Sequence, residues 1–430
     1  MNSKKLVAMG LALILALSLC ACAATEPSRM ASEPYFARMW STARSRCAAN
    51  EPAGTTEGET TASTVIADSN NDGQIEVGTV EDVEVNEASE HLDAAEASAS
   101  GNWEALFVPI DIEGRAIDMA NVDLTPTAEE LEAMKKEPAY GRPIHYFMSD
   151  GCTSGPTMAD HLGYYKEAGL TAEGVKGSSD VEALGTDQVD VATGMMAKML
   201  VPITNGVDIT FVGGAHIGCK SLYVLADSDY NTTADLKGQK ISAPNGIGKS
   251  DYNITALLLD ADGIDYSKDV ELVQVSADAC VTAMENGEIA SALLSDTFAY
   301  SMVKDGKLKC IRSQLDSDFA NRTCCVMAMN GTFVKENPTI AKKVAQAVQK
   351  AHSWMRDNSD EATKVLMDMG WNGGNYEMNI MINNSLQFGL SDEFTGETLK
   401  DFIGRYIRLG LITSMDNADE VLKLAWTPIL

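Results

Sequence analysis

Five short segments hold most of the side chains in this chain that suit recognition of a small molecule. Ser149-Asp150-Gly151-Cys152-Thr153-Ser154-Gly155 mixes glycines with hydroxyls, a pattern that offers backbone N–H groups and OH donors to an oxyanion. Thr153 and Ser154 are its ligand candidates, ahead of Cys152, and the same residues also suit an ordinary capped turn. In Gly194-Met195-Met196, Met195 is either a soft apolar wall for a ligand or buried packing. Gly213-Gly214-Ala215-His216-Ile217-Gly218-Cys219 holds His216, one of five histidines, as a ligand hydrogen-bond donor or a packing group. His216 and Cys219 are both metal-ligand types, but no further ligand stands near them in sequence, so no metal is expected. Asn245-Gly246-Ile247-Gly248-Lys249-Ser250-Asp251 must bend sharply, and it presents Asn245, Ser250 and the N–H groups of Gly246 and Gly248. It lacks the glycine spacing of a phosphate-cradling Walker loop. In Ser295-Asp296-Thr297, Asp296 either pairs with an amine on the ligand or caps a helix. None of the five segments contains arginine, so an anion would be held by backbone and hydroxyl donors. Between Ala234 and Asp296 there is no nucleophile–base pair and no GxGxxG, and no catalytic residue or cofactor is expected.

Alternating strands and helices position these segments. Lys240–Ala243 reads as a short strand stopped by Pro244, with Ser250 placed to cap a helix beginning near Asp251. That helix has Ile254, Leu257, Leu258 and Ala261 on one face and ends around Gly263. A strand at Val270–Val275, a helix at Asp278–Asn286 and a strand at Ile289–Leu294 follow. Upstream, Thr127-Ala-Glu-Glu130 is a capping box. Strands are expected at Ile144–Ser149, Leu170–Val175, Val189–Thr193 and Ile209–Gly213, with helices between them. Such βαβ units imply parallel α/β sheets whose ligand loops gather at the strand C-ends. Everything after Asn337 reads as helical, beginning with amphipathic Ile340–Arg356.

The order of turns DLKGQKI, PNGIGKSD, GIDYSKDVELV and AMENGEI resembles the second lobe of a type II periplasmic (solute-) binding protein. The resemblance is to the nitrate/sulfonate/taurine and thiamine-precursor branch of ABC-transporter binding proteins, and it covers about Pro143–Leu409. It implies an α/β, two-lobe fold with two hinge crossings, in which Leu222–Leu225 leaves the first lobe and Thr323–Met329 returns to it. The first lobe would span 103–225 and 323–430, the second 226–322, and the C-terminal helices would pack outside the first lobe. The loop at Asn245 resembles the branch's anion-facing loop, so Thr153 and Ser154 would meet Asn245 and Ser250 across the cleft. The implied function is a receptor that hands a small anionic or zwitterionic solute to an ABC permease, without catalysis. Two alternatives share the fold: a sensory or adhesive lipoprotein, and an enzyme like the thiamine-pyrimidine synthases. The latter use a longer cysteine-rich iron motif than Cys324-Cys325 provides.

The N-terminal segment points to export. Basic Lys4-Lys5, an apolar run Leu6–Leu19 too short to span a bilayer, and Leu19-Cys20-Ala21-Cys22 resemble a lipoprotein signal, with Cys22 lipidated. Residues 1–22 would be the signal and 23–102 a disordered acidic tether, since 51–100 hold thirteen Asp or Glu and no Lys or Arg. Asp68–Glu76 follows part of a calcium loop, but Thr79 stands where a bidentate Glu is needed, so it reads as a solvated acidic turn. A formal net charge of −29 argues against nucleic acid as a partner. Seven cysteines remain beyond Cys22, an odd number without a CxxC, which argues against a disulfide framework or a zinc ribbon. They read as small buried hydrophobes, and adjacent Cys324 and Cys325 should point to opposite faces of a strand.

Overall fold

The computed structural model describes residues 90–111 and 114–430. The signal segment, Cys22, Cys47, the acidic turn at Asp68 and most of the expected tether lie outside the described residues. Ten strands form two five-stranded sheets: β1 (Ile144–Phe147), β2 (Ala172–Val175), β3 (Val191–Met195), β4 (Ile209–Ile217), β5 (Lys220–Leu225), β6 (Lys240–Ser242), β7 (Glu271–Val273), β8 (Ser291–Ser295), β9 (Leu308–Ser313) and β10 (Thr323–Asn330). The first sheet has the order β2-β1-β3-β10-β4, the second β7-β6-β8-β5-β9. The fold is the expected α/β one, with a sheet in each of two lobes.

Each sheet repeats one plan. Three strands run parallel (β2-β1-β3 and β7-β6-β8), and the next is antiparallel to its neighbours. That antiparallel strand is the one that has just crossed from the other lobe: β5 in the second sheet and β10 in the first. The outgoing crossing is only Gly218 and Cys219, so Leu222–Leu225 lies in the second sheet rather than closing the first lobe. Gly218 has φ +46°, and a Cβ there would sit 2.3 Å from Leu315 Cδ2, so the chain turns as tightly as the backbone allows.

Two further expectations change. Residues 90–102 are not tether: helix Ala94–Ser100 buries Ala94 and Ala97 with Leu106 and Phe107 against the second lobe. Asp316 Oδ1 accepts from the Ala94 N–H at 2.7 Å, and Asp93 Oδ1 accepts from the Ser317 N–H at 2.7 Å. The C-terminal helices also do more than cover the first lobe. Pro338–Asp357 does pack there, with Ile340, Val344, Ala347 and Val348 buried beside Met158 and Met327. Tyr376–Leu386 instead places Met378 and Ile382 in the same cluster as Ala299 and Tyr300 of the second lobe. Asp392–Arg408 joins both lobes, because Phe402 and Tyr406 share a core with Leu200 of the first and Leu257 of the second. Arg408 forks onto Asp260 with both N···O distances at 2.7 Å. Asn253 donates to the Ala197 carbonyl at 2.8 Å, so helix Ser250–Ala261 is fixed to helix Met196–Thr204 across the lobes.

The end of β9 is organised by Arg312. Its guanidinium meets Asp316 at 2.7 Å, Asp318 at 2.7 Å and Asp262 at 3.0 Å. Asp316 is 2% exposed, and burial raises its pKa against the opposing hydrogen bond from Arg312. Breaking such a pair from one side leaves a buried charge without a partner. Arg312→Ala should therefore destabilise the protein by about 3–5 kcal/mol. Because Asp316 also holds Ala94, limited proteolysis should show faster cleavage around 90–102.

Candidate functional site

The strand crossings bring together residues that are far apart in sequence. Cys152 enters from the 3₁₀ turn Gly151–Thr153 after β1, Cys219 from the outgoing crossing, and Cys325 from the start of β10. Their sulfurs lie within 4.8 Å of one another. Cys324 joins them, with its sulfur 3.6 Å from that of Cys219 and its thiol donating to Gln314 Oε1. Both Cys324 and Cys325 are buried in one cluster, against the expectation of opposite faces. The cause is local: the β10–β4 register slips between Thr323 and Cys325 and again between Cys325 and Val326. Hydrogen bonds from Cys219 and Cys325 lower the Cys324 pKa, while burial pushes Cys325 well above a thiol's ordinary range.

In its ladder positions Cys325 faces Met195 on β3 and His216 on β4. His216 is fully buried, Nδ1 is 2.8 Å from the Ile217 carbonyl, and Nε2 has no hydrogen-bond partner of ordinary geometry among the described residues. Burial works to lower the His216 pKa, but the adjacent Cys152 and the carbonyls of Ile217 and Gly218 raise it overall. On the second lobe, Asp296 begins helix Asp296–Lys304, and its backbone N–H donates to the Cys219 carbonyl at 3.2 Å. Tyr223 donates to Asp296 Oδ1 at 2.7 Å, while Oδ2 is buried with no partner of ordinary hydrogen-bond geometry among the described residues. Burial pushes the Asp296 pKa up to about 6, against hydrogen bonds from Ser221 and Tyr223 and the charge of Lys220.

Lys220 was not singled out by sequence, although it immediately follows Cys219. Its Nζ donates to Asp251 Oδ1 at 2.6 Å, and Asp251 is 1% exposed. Asp251 in turn accepts from the Asn245 backbone N–H at 3.0 Å, from Asn245 Nδ2 at 3.1 Å and from Ser250 Oγ at 3.2 Å. Thus Asn245 and Ser250 are joined to the crossing through one buried ion pair. Ser250 is the first residue of its helix rather than the cap; Lys249 holds that position. Gly246 has φ +103°, which makes the sharp bend that the sequence requires.

The two halves of the expected oxyanion site do not both line the groove at Asn245. Asn245, Lys249 and Ser250 line an inter-lobe groove of about 830 Å³ opposite Ser179, Asp180 and Lys198. Lys198 pairs with Asp180 at 2.6 Å, and Lys249 is the lysine on the facing wall. Thr153 and Ser154 are not among its lining residues. Their hydroxyls donate within their own turn, Thr153 to the Asp150 carbonyl at 3.0 Å and Ser154 to the Gly151 carbonyl at 2.7 Å. Cys152, ranked behind them by sequence, is the residue of that turn that meets the crossing. Arg322, the other guanidinium near the return path, is held by Asp401 at 2.9 Å.

Residues 153–362 match the family model described as NMT1/THI5 like. That segment is similar to the NMT1/THI5-like family. Solved structures agree on the fold. The alkanesulfonate-binding protein SsuA from Xanthomonas axonopodis pv. citri, bound to MOPS, has a TM-score of 0.53 at 15% identity, covering 66% of this chain and 97% of that one. The periplasmic aliphatic sulphonate binding protein SsuA from Escherichia coli gives 0.53 at 16% identity, covering 66% and 92%. The periplasmic nitrate-binding protein NrtA from Synechocystis PCC 6803 gives 0.51 at 15%, covering 66% and 85%. All three are described as binding proteins. A search of curated proteins gives no match. Among the described residues no helix is long and apolar enough to cross a membrane.

Packing beneath the Cys152 turn generates a test. A Cβ on Gly155 would lie 2.1 Å from His352 Nε2, and that ring is fully buried with Nδ1 3.0 Å from Gln349 Oε1. Gly155→Ala should cost about 1–3 kcal/mol by overpacking, and His352→Asn, which removes the ring tip, should recover part of it. Burial and the neighbouring His216 depress the His352 pKa to about 3. The unfolded chain then takes up a proton that the folded one refuses, so stability falls as pH drops from about 6.5 towards 3. Urea unfolding at several pH values should show a shallower acid slope in His352→Asn.

Proposed function

We propose that the protein is an extracytoplasmic, lipid-anchored solute-binding protein of an ABC importer, holding a small anionic or zwitterionic organic solute between its lobes. One observation carries this reading. Where the two sheets exchange strands, Asp296 Oδ2 of the second lobe and His216 Nε2 of the first are both buried with no hydrogen-bond partner of ordinary geometry among the described residues. Unsatisfied buried groups of this kind need a partner that the described residues do not supply. A carboxylate and an imidazole from opposite lobes suit a zwitterion. Binding would select the form in which both lobes contribute contacts, and no reacting pair is needed. The lipid anchor rests on Leu19-Cys20-Ala21-Cys22, and the permease partner on the kind of protein the fold resembles.

Thermal-shift screening of sulfonates, carboxylates, amino acids, pyrimidines and inorganic anions tests the solute. A ligand present at about 100 times its dissociation constant should add roughly 2.7 kcal/mol of stability. For an amine-bearing hit, Asp296→Asn should weaken binding at least ~10-fold, equivalent to about 1.4 kcal/mol. Equal affinity in wild type and Asp296→Asn would remove Asp296 from the site. Replacing Cys22 with Ser should release the protein from membranes, whereas Cys20→Ser should not; an unlipidated N-terminus by mass spectrometry would remove the anchor.

A further inference from the structure

We propose that Cys152, Cys219 and Cys325 form a three-thiolate site for one thiophilic cation, Zn²⁺ or Cu⁺, at the junction of the two crossings. The geometry needs little change. Metal–sulfur bonds of about 2.3 Å place tetrahedral thiolates roughly 3.8 Å apart, and these sulfurs already lie within 4.8 Å of one another. Three separate chain segments supply the ligands, so the cluster is built by the tertiary fold and not by a local motif. Thiolate donors select soft or borderline cations and disfavour Mg²⁺ and Ca²⁺.

The surroundings add an independent sign. His216 is fully buried beside Cys152, its Nε2 has no hydrogen-bond partner of ordinary geometry among the described residues, and it occupies the ladder position next to Cys325. Three protein ligands leave one coordination position, which the His216 nitrogen or an atom of a bound solute can fill. Cys324, hydrogen-bonded to Cys219 and Gln314, stands as a neighbour that supports the ligand thiolates. Cation uptake is balanced by release of the thiol protons, with no change of oxidation state. An ion at this place would tie the first βα turn to both crossings, and so couple metal loading to the hinge.

The proposal stands apart from the transport reading, because its readout is metal and not solute. The full-length chain is reduced, stripped of metal and titrated anaerobically with Zn²⁺, with Cu⁺, and with Co²⁺ as a spectroscopic probe. One equivalent should bind, with thiolate-to-metal charge-transfer absorption in the Co²⁺ form. Cys152→Ser is the decisive variant, since Cys152 lies in a half-buried turn and its loss leaves the strands intact. It should weaken binding at least ~10-fold with an unchanged circular dichroism spectrum. Cys219→Ser and Cys325→Ser should do the same, and Cys280→Ser, in the second lobe's helix Ala277–Glu285, should have no effect. No stoichiometric uptake of either cation by the folded protein overturns the proposal. So does uptake that survives Cys152→Ser unchanged, or a Cys219–Cys324 disulfide as the stable state under the reducing conditions used.

Discussion

The ion pair between Lys220 and Asp251, 2.6 Å long and nearly sealed from water, ties the outgoing crossing to the loop that opens the second lobe's first helix. Around it the backbone N–H and side chain of Asn245 and the hydroxyl of Ser250 are all directed at the same carboxylate. A buried charge of this kind tolerates little movement, because losing one partner strands the other in a low-dielectric setting. It therefore fixes the second lobe's candidate loop relative to β5, and through the Gly218-Cys219 turn relative to β4.

The crossings also explain how one chain makes two lobes that still behave as a unit. Each sheet takes an antiparallel strand from the chain as it arrives from the other. The shared core of Leu200, Leu257, Phe402 and Tyr406 then holds one side of the groove shut, together with the Arg408–Asp260 fork. Motion between the lobes must pivot on Gly218-Cys219 and the Gln314–Arg322 return, and must disturb these contacts if it is large. The described form has the lobes in contact through Asn253 and Ala197.

Much of this architecture is legible in the sequence, and the failures have physical causes. Parallel strands such as β3 and β8 are short apolar runs bounded by turns, so periodicity and punctuation reveal them. β9 escaped notice because Lys309 and Arg312 interrupt its apolar positions, and the charge of Arg312 is matched by aspartates that a local reading does not associate with it. The acidic average over 51–100 concealed Leu92, Ala94 and Ala97, whose burial depends on a surface more than two hundred residues away. At the site, His216, Asp296 and Met195 were visible as loop and strand-end residues, and the structure gathers them around Cys325 and Cys219. Cys152 ranked behind Thr153 and Ser154 by sequence, and Lys220 was not singled out, because their meaning lies in partners that only the tertiary fold supplies. Cys324 and Cys325 share a core because of a slipped register, which no alternation rule expresses.

The central claim is that one solute is held jointly by both lobes. Hydrogen–deuterium exchange with and without a saturating solute reads this directly. The account predicts slowed exchange in Gly151–Ser154 and Ala215–Cys219 of the first lobe together with Asn245–Asp251 and Ser295–Thr297 of the second. Protection confined to one lobe, with the other unchanged at saturation, would contradict it.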